Sequence, residues 1–212
     1  KHTTRNGKDT CMKFCTHGVR ALLAAGALIH TTTLAADSSA GMDAQMVEMM
    51  KKMELAGTPG PQHKALDPLV GEWNVEVRKW DSPDRPPTVS KGSASAKWIM
   101  GSRFIQEEFG GEFMGKPFSG LMIIGYDNTK QKYANVWIDD MHTAIFTTEG
   151  SAADRGKVIT FEGHYDCPIT GEKNRAMKQV LRILSRDQHV LEMHDPTKSG
   201  DTKTMEITYT RK

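Results

Sequence analysis

The sequence predicts an all-β protein, an antiparallel up-and-down β-barrel of about ten strands with an N-terminal amphipathic helix. From residue 72 onward, apolar residues alternate with polar ones, as in strands that bury one face. Short turn segments rich in Gly, Pro, Asp, Asn and Ser separate these stretches, which favours pairing of consecutive strands. The first stretch starts with Gly71-Glu72-Trp73 and the last ends with Tyr209-Thr210-Arg211, so we expect these two to pair and close the sheet.

Residues 1–36 are predicted to be a signal peptide with a short upstream leader. Met12 is the expected start, and Lys13 and Arg20 supply a positive n-region. Residues 21–29 form an apolar segment too short to span a bilayer, and Thr33-Leu34-Ala35 fits a cleavage site. The alternative is a short buried helix. We therefore expect an exported protein, periplasmic or extracellular.

The charge of the chain argues against nucleic-acid binding. The whole chain has 28 Lys and Arg against 26 Asp and Glu, but the leader holds five of these bases and one of these acids. The rest has a net charge of about −2 and no basic stripe that could neutralise phosphates. No later segment is apolar enough to cross a membrane as a helix, so we do not expect a membrane-embedded protein.

Cysteine usage limits how the domain is stabilised. Cys11 and Cys15 would leave with the leader, which leaves Cys167 alone in an oxidising compartment. No internal disulfide can then form in the barrel, so its stability has to come from packing.

Residues 37–61 are predicted to form a Met-rich amphipathic helix and a linker. Residues 37–41 are interpreted as a flexible remnant of the leader, and Thr58-Pro59-Gly60-Pro61 ends the helix. Between them, methionines recur at helical spacing on one face: Met42, Met46, Met49, Met50 and Met53. Three interpretations stay open: a surface helix docked on the barrel or on a second copy in a homodimer, a lid over a pocket, or a soft Cu(I) site.

Residues 62–212 are predicted to be the barrel domain. Residues 62–70 form a short helical plug at one end, with Leu66, Leu69 and Val70 as its apolar side chains. The predicted strands cover residues 73–78, 94–98, 103–109, 118–126, 133–139, 143–149, 158–163, 175–184, 189–194 and 205–210.

Residues 72–212 resemble the bacterial domain of unknown function 1579. The motifs that carry the resemblance include Gly71-Glu72-Trp73, Gly101-Ser102-Arg103-Phe104, Gly115-Lys116-Pro117-Phe118-Ser119-Gly120, Gly125-Tyr126-Asp127, Trp137-Ile138-Asp139 and residues 205–211. The resemblance implies a calycin-like, lipocalin-related barrel, and it supplies no catalytic residues. The Gly-x-Trp start is also similar to the lipocalin signature, which implies that Arg211 packs over Trp73 and closes one end.

A barrel of this size can enclose a small molecule, so the inward side chains are the candidate ligand-binding residues. Two strands combine aromatic and polar residues on one face: Phe104, Gln106 and Glu108 on one, and Tyr133, Asn135, Trp137 and Asp139 on the other. A shift of one residue would instead bury Ile105, Glu107 and Phe109, or Ala134, Val136 and Ile138. Trp137 and Asp139 also fit a structural interpretation, a core aromatic beside a carboxylate that caps a turn.

The histidines and Cys167 predict no metal site. His164, Asp166 and Cys167 lie in a strand-to-turn stretch without zinc geometry. His189 and His194 could reach a cavity as haem ligands or as a general base, but an exposed histidine near a strand end is the commoner case.

The motifs predict no catalytic residues and no cofactor, because the nucleophile elbow, the metal helix, the phosphate loop and the dinucleotide fingerprint are all missing from the sequence. We expect a carrier of a small hydrophobic or amphipathic molecule. The alternatives are an envelope module that binds protein partners without a ligand, and an enzyme acting on a small apolar substrate.

Overall fold

The fold is a closed antiparallel barrel of ten strands preceded by a long helix. The computed structural model describes residues 34–82, 84–113, 115–196 and 201–212, with side chains from residue 43 onward. The described residues from 45 onward belong to one compact unit. The helices are α1 (Leu34–Gly57) and α2 (Pro61–Lys64), followed by a 3-10 turn at Asp67–Leu69. The strands are β1 (Gly71–Lys79), β2 (Thr88–Ile99), β3 (Phe104–Phe113), β4 (Lys116–Asp127), β5 (Lys132–Asp139), β6 (Phe146–Ala153), β7 (Val158–Tyr165), β8 (Arg175–Ile183), β9 (Gln188–Asp195) and β10 (Thr202–Arg211).

Every strand pairs with its neighbours in sequence, and β1 pairs with β10 to close the barrel. The prediction of an up-and-down barrel is therefore confirmed. Trp73 lies opposite Arg211 across the closing pair, and the guanidinium carbon lies 4.3 Å from the centre of the indole ring. Arg211 also donates hydrogen bonds to the carbonyl oxygens of Val70 and Pro68, so it ties the last strand to the residues before the first.

A glycine is required where the chain enters β1. Gly71 has φ +144°, a conformation that residues with a Cβ rarely adopt, and a Cβ there would collide with the Arg211 guanidinium. The close approach of Arg211 to the backbone thus explains the glycine two residues before Trp73.

One end of the barrel is closed by the predicted plug. Leu66 and Leu69 are 0% and 2% exposed, and their side chains join a core with Ile105, Ile124 and Phe161. The indole nitrogen of Trp73 donates a hydrogen bond of 2.9 Å to the carbonyl oxygen of Leu69. The plug is therefore fixed to the closing strand.

The N-terminal region differs from the prediction in two ways. The helix already begins at Leu34, so residues 37–41 are helical and their interpretation as a flexible remnant is wrong. The predicted signal sequence up to residue 33 lies outside the described residues. Residues 37–41 contain no proline, and a single glycine weakens a helix without ending it. The helical hydrogen bonds can therefore continue through this segment.

The methionine stripe of α1 does not pack on the barrel. Its described side chains are 50–67% exposed, so neither docking on the barrel nor a closed lid fits this structure: Met46, Met49, Met50 and Met53. The amide nitrogen of Asn128 instead holds the end of α1 through the carbonyl oxygens of Ala56 and Thr58, at 3.1 and 2.8 Å. A homodimer through the stripe and Cu(I) binding stay predictions. None of the helices in the described ranges is long and apolar enough to cross a membrane.

Candidate ligand-binding lumen

The inward side chains of the barrel form successive levels between the plug and the opposite end. Two residues along a strand advance about 7 Å, and paired residues on neighbouring strands share a face. On β5, Tyr133 lies at the plug, Asn135 one level further, then Trp137, and Asp139 at the end of the strand. We call the inward, buried polar residues that border the plug core the floor; it comprises Glu107, Asn135, Thr148, Gln179, His189 and Tyr209.

Beyond the floor, the inward residues form what we call the cup: Phe109, Phe118, Trp137, Phe146, Met177, Met193 and Met205. All of these large apolar side chains point into the barrel, yet each is only half-buried. At the plug level, by contrast, Ile105, Ile124 and Phe161 are fully buried. Because these side chains point inward from the strand ends opposite the plug, the surface that they leave exposed faces the lumen or its mouth at that end.

Aromatic rings line one side of the cup. Phe118 and Trp137 stack with ring centres 6.3 Å apart, and Phe109 meets both rings edge-on at 5.8 and 6.4 Å. Gly120 makes this arrangement possible, because a Cβ at that position would overlap the Trp137 ring. A flat aromatic wall facing flexible methionines suits an apolar guest of variable shape.

Polar groups surround the opening of the cup. The Trp137 indole nitrogen donates to the Asp139 carboxylate at 2.9 Å, and the backbone nitrogens of Met141 and His142 donate to it at 3.0 Å. Burial acts to raise the pKa of Asp139, but these hydrogen bonds outweigh it and leave the pKa below its usual value. Across the opening, Arg175 donates to Asp195 at 2.6 Å. Asp139 therefore both caps a turn and orients the Trp137 ring.

The floor contains a buried carboxyl group. Glu107 is 1% exposed and accepts a hydrogen bond of 3.1 Å from the Tyr209 hydroxyl. Burial raises the pKa of Glu107 to about 7, since the apolar surroundings disfavour the ionised form more than the Tyr209 hydrogen bond stabilises it. The Glu107 side chain is thus largely uncharged in mildly acidic solution and ionised in alkaline solution.

His189 packs against the ring of Tyr209. Its imidazole stacks on Tyr209 with centres 4.2 Å apart and meets the Trp73 ring edge-on at 4.5 Å. Burial, helped by the nearby charge of Arg211, lowers the pKa of His189 to about 3. His189 is therefore a neutral group of the floor at physiological pH.

A small cavity lies among the floor residues. Its volume is about 20 Å³, and its wall includes Glu107, Asn135, His189 and Tyr209 together with the half-buried Met122 and Leu191. A cavity of this size holds about one small polar group. The floor cavity is therefore too small to enclose a whole ligand.

A second pocket lies beside the plug, outside the lumen. It has a volume of about 400 Å³, and polar and apolar groups share its wall about equally, with Gln62, Gln131 and Arg155 beside Pro61, Ala65, Tyr126, Tyr133 and Ala152. The Tyr126 and Tyr133 rings pack edge-to-face at 4.9 Å. Ligand pockets in proteins are mostly apolar with few polar groups, so this surface fits an apolar guest less well than the cup does.

The structure places the sequence-predicted ligand residues on two different sides of the sheet. Tyr133, Asn135, Trp137 and Asp139 all face the lumen, at four successive levels. The expected inward orientation is wrong for three residues of β3, which lie on the outer face: Phe104, Gln106 and Glu108.

The register of β3 instead buries the alternative face that contains Glu107. A shift of one residue inverts every side chain of a strand, and each face of β3 carries a glutamate, so charge did not distinguish the two faces. The apolar residues on each face of β3 could have identified the buried face. Ile105 and Phe109 flank Glu107, whereas the other face carries only one apolar residue, Phe104. Because Glu108 lies outside and Asp139 inside, these two carboxylates do not converge on a shared site.

The histidine predictions have mixed outcomes. The expectation of an exposed strand-end histidine is wrong for His189, which is 3% exposed within the lumen. His194 lies on the outer face near Asp201, with a nitrogen to carbonyl distance of 3.2 Å. His164 is exposed and Asp166 pairs with Lys173, while Cys167 is at a turn as predicted. Within the described ranges, no three His, Cys, Asp or Glu side chains lie close enough together to hold a metal ion.

Comparison with known proteins identifies similarity at the level of the whole barrel. Residues 58–211 match the family model described as Protein of unknown function (DUF1579). Rv2717c from M. tuberculosis, known from a crystal structure, is 16% identical over 73% of this chain and 99% of its own, with a TM-score of 0.49. A redesigned β-barrel is 16% identical over 70% of this chain and 95% of its own, with a TM-score of 0.37. No curated protein matches the sequence.

Proposed function

We propose that this chain, which belongs to the DUF1579 family of proteins of unknown function, binds a small hydrophobic or amphipathic molecule in the cup of its barrel. The observation that carries the proposal is the half-burial of large apolar side chains that point into the lumen, such as Trp137 and Met193. Apolar surface left open to water is costly at about 25 cal/mol per Å², and a guest that covers it recovers that free energy.

The cup differs from ordinary exposed apolar surface because its residues come from many strands and face one another. Its aromatic side is formed by β3, β4 and β5, and its methionines come from β8, β9 and β10 on the other part of the barrel. A guest between them would contact both sides at once. Concave apolar walls of this kind bury most of a small ligand, which a flat patch cannot do.

Substitutions of phenylalanine inside and outside the barrel test the proposal. We expect Phe118→Ala to weaken binding of the neutral probe N-phenylnaphthylamine about tenfold, since one lost aromatic contact is worth roughly 1.4 kcal/mol. The measurement is a titration of probe fluorescence, which rises in apolar surroundings. Phe104→Ala is the matched control, because Phe104 lies on the outer face and is 40% exposed. Equal effects of the two variants, or no binding by the wild type, would contradict the proposal.

We further propose that the protein acts outside the cytoplasm. The support is the sequence pattern of residues 1–36, with a positive segment, a short apolar segment and small residues at Thr33-Leu34-Ala35. The mass of the protein recovered from the host periplasm or medium tests this, because removal of the leader should leave a chain that begins near Ala36. Recovery of uncut protein from the cytoplasm alone would refute export.

A further inference from the structure

The floor of the lumen presents buried polar atoms without a protein partner. Among the residues that the structure describes, these include Asn135 Oδ1, Thr148 Oγ1 and His189 Nδ1. The three residues are 6%, 4% and 3% exposed. A buried polar atom without a hydrogen bond is costly and uncommon in folded proteins, so such a group on a cavity wall indicates a place for a polar ligand atom.

Two of these residues line the same cavity. Asn135 and His189 both line the cavity of about 20 Å³, and Thr148 is paired with Asn135 across β5 and β6. The amide nitrogen of Asn135 is held by Gln179 Oε1 at 3.1 Å, which leaves its oxygen as the free acceptor. Side chains of a directly opposed pair such as Asn135 and Thr148 lie about 5 Å apart at Cβ, so a hydroxyl group between them could donate to that oxygen and accept from Thr148.

The charge of the floor favours an uncharged head group. Glu107 supplies a carboxyl, and the groups that face it are the Tyr209 hydroxyl and the neutral His189. The nearest cation on this side, Arg211, is bound to backbone carbonyl oxygens at the plug and packs on Trp73. A carboxylate head group would therefore meet another carboxylate in apolar surroundings without a compensating cation.

On two strands a floor residue and a cup residue follow each other on the inner face, as a ligand with a polar head and an apolar tail would need. Asn135 precedes Trp137 by two residues on β5, and Thr148 follows Phe146 by two on β6, so each polar group lies about 7 Å from a cup aromatic. The cavity wall nearest the cup is made by Met122 and Leu191, which are half-buried and apolar. A head group at the floor can thus continue into an alkyl tail in the cup.

We propose that the floor recognises the hydroxyl head group of an amphipathic alcohol whose alkyl tail fills the cup, and that it discriminates against the corresponding carboxylate. This inference rests on the proposed function. It assigns Asn135 and Thr148 as the hydrogen-bonding residues and Glu107 as the residue that rejects anions.

Competition between two matched amphiphiles tests the inference. Decanol and decanoate are titrated at pH 8 against protein loaded with N-phenylnaphthylamine. We expect decanol to displace the probe at a concentration about tenfold lower than decanoate does, because one unfavourable interaction of about 1.4 kcal/mol changes affinity tenfold. Alcohols enter apolar sites more readily than carboxylates in general, so the variants decide whether the floor is responsible.

Glu107→Gln is expected to strengthen decanoate binding several-fold relative to decanol binding, since it removes the charge and keeps the shape. Thr148→Val should weaken the binding of decanol about two- to tenfold through the loss of one hydrogen bond. Thr147→Val is the matched control, because Thr147 is the exposed outer neighbour on the same strand. Displacement by both amphiphiles with no response to Glu107→Gln or Thr148→Val would overturn the head-group inference and leave the cup in place. Failure of the probe and both amphiphiles to bind would overturn the proposed function as well.

Discussion

Trp73→Ala is expected to lower the free energy of unfolding by about 3–5 kcal/mol, the largest effect of any single substitution that we predict. Trp73 is fully buried, donates a hydrogen bond to the plug at Leu69 and lies beneath Arg211. Its ring also contacts His189 and Tyr209 edge-on. Removing it therefore opens a cavity where the first strand, the last strand and the plug meet. Guanidinium denaturation followed by circular dichroism measures the change.

Trp137→Ala provides the comparison for Trp73→Ala, because Trp137 is half-buried and lies on β5, which pairs with neither of the closing strands β1 and β10. We expect it to cost clearly less stability and to weaken probe binding. If Trp73→Ala proves too unstable to purify, Trp73→Phe keeps a ring and removes the hydrogen bond to Leu69, at an expected cost of about 1–2 kcal/mol. Equal destabilisation by the alanine variants at positions 73 and 137 would contradict the closure described here.

Glu107→Gln is expected to stabilise the protein increasingly as the pH rises. The pKa of Glu107 is raised from 4.5 to about 7 on folding, so the folded protein holds a proton that the unfolded chain has lost. The carboxyl therefore causes no loss of stability below about pH 4.5, and stability falls as the pH rises through 7. Relative to the wild type, the variant should gain about 2–3 kcal/mol between pH 5 and pH 9, because each unit of pKa shift corresponds to about 1.4 kcal/mol.

The contribution of His189 to stability changes with pH in the opposite direction to that of Glu107. The variant and the wild type therefore have to be compared at each pH. Its pKa is lowered to about 3 in the folded protein, so its contribution is fully present above about pH 6.5 and is lost as the pH falls towards 3. Because both proteins contain His189, its contribution cancels when the free energies of unfolding of Glu107→Gln and the wild type are subtracted. Chemical denaturation at several pH values gives the difference directly, and a difference that does not change with pH would show that Glu107 titrates normally.

The closure of the barrel could be predicted from the sequence because its determinants are local. Alternation with period two marks the strands, and the Gly71-Glu72-Trp73 start together with Arg211 identifies the two strands that meet. The plug was likewise indicated by Leu66 and Leu69 just before the first strand. Each of these features is encoded within a few neighbouring residues, so no knowledge of distant contacts was needed.

The chemistry of the floor could not be predicted in the same way. Glu107 is buried because it meets Tyr209, a residue 102 positions later in the chain, and the two come together only when the barrel closes. Glu107 and Glu108 lie on opposite faces of β3, so the glutamates did not identify the buried face, and the face with Glu108 was expected to line the lumen. The exposure of the methionines on α1 could not be predicted from the sequence either, because helical periodicity identifies an apolar face but not what covers it.

Methionine methyl NMR gives the most direct test of the central claim that the cup is the ligand site. The methyl groups of Met177, Met193 and Met205 lie inside the barrel, whereas those of Met46 and Met53 lie on the exposed face of α1. On titration with N-phenylnaphthylamine, we predict saturable shifts of the three cup methyl resonances and none on the helix, because the rings of the probe would lie against the cup methionines. Shifts confined to the helix methionines, or saturating binding that leaves Met177, Met193 and Met205 unchanged, would contradict binding in the cup.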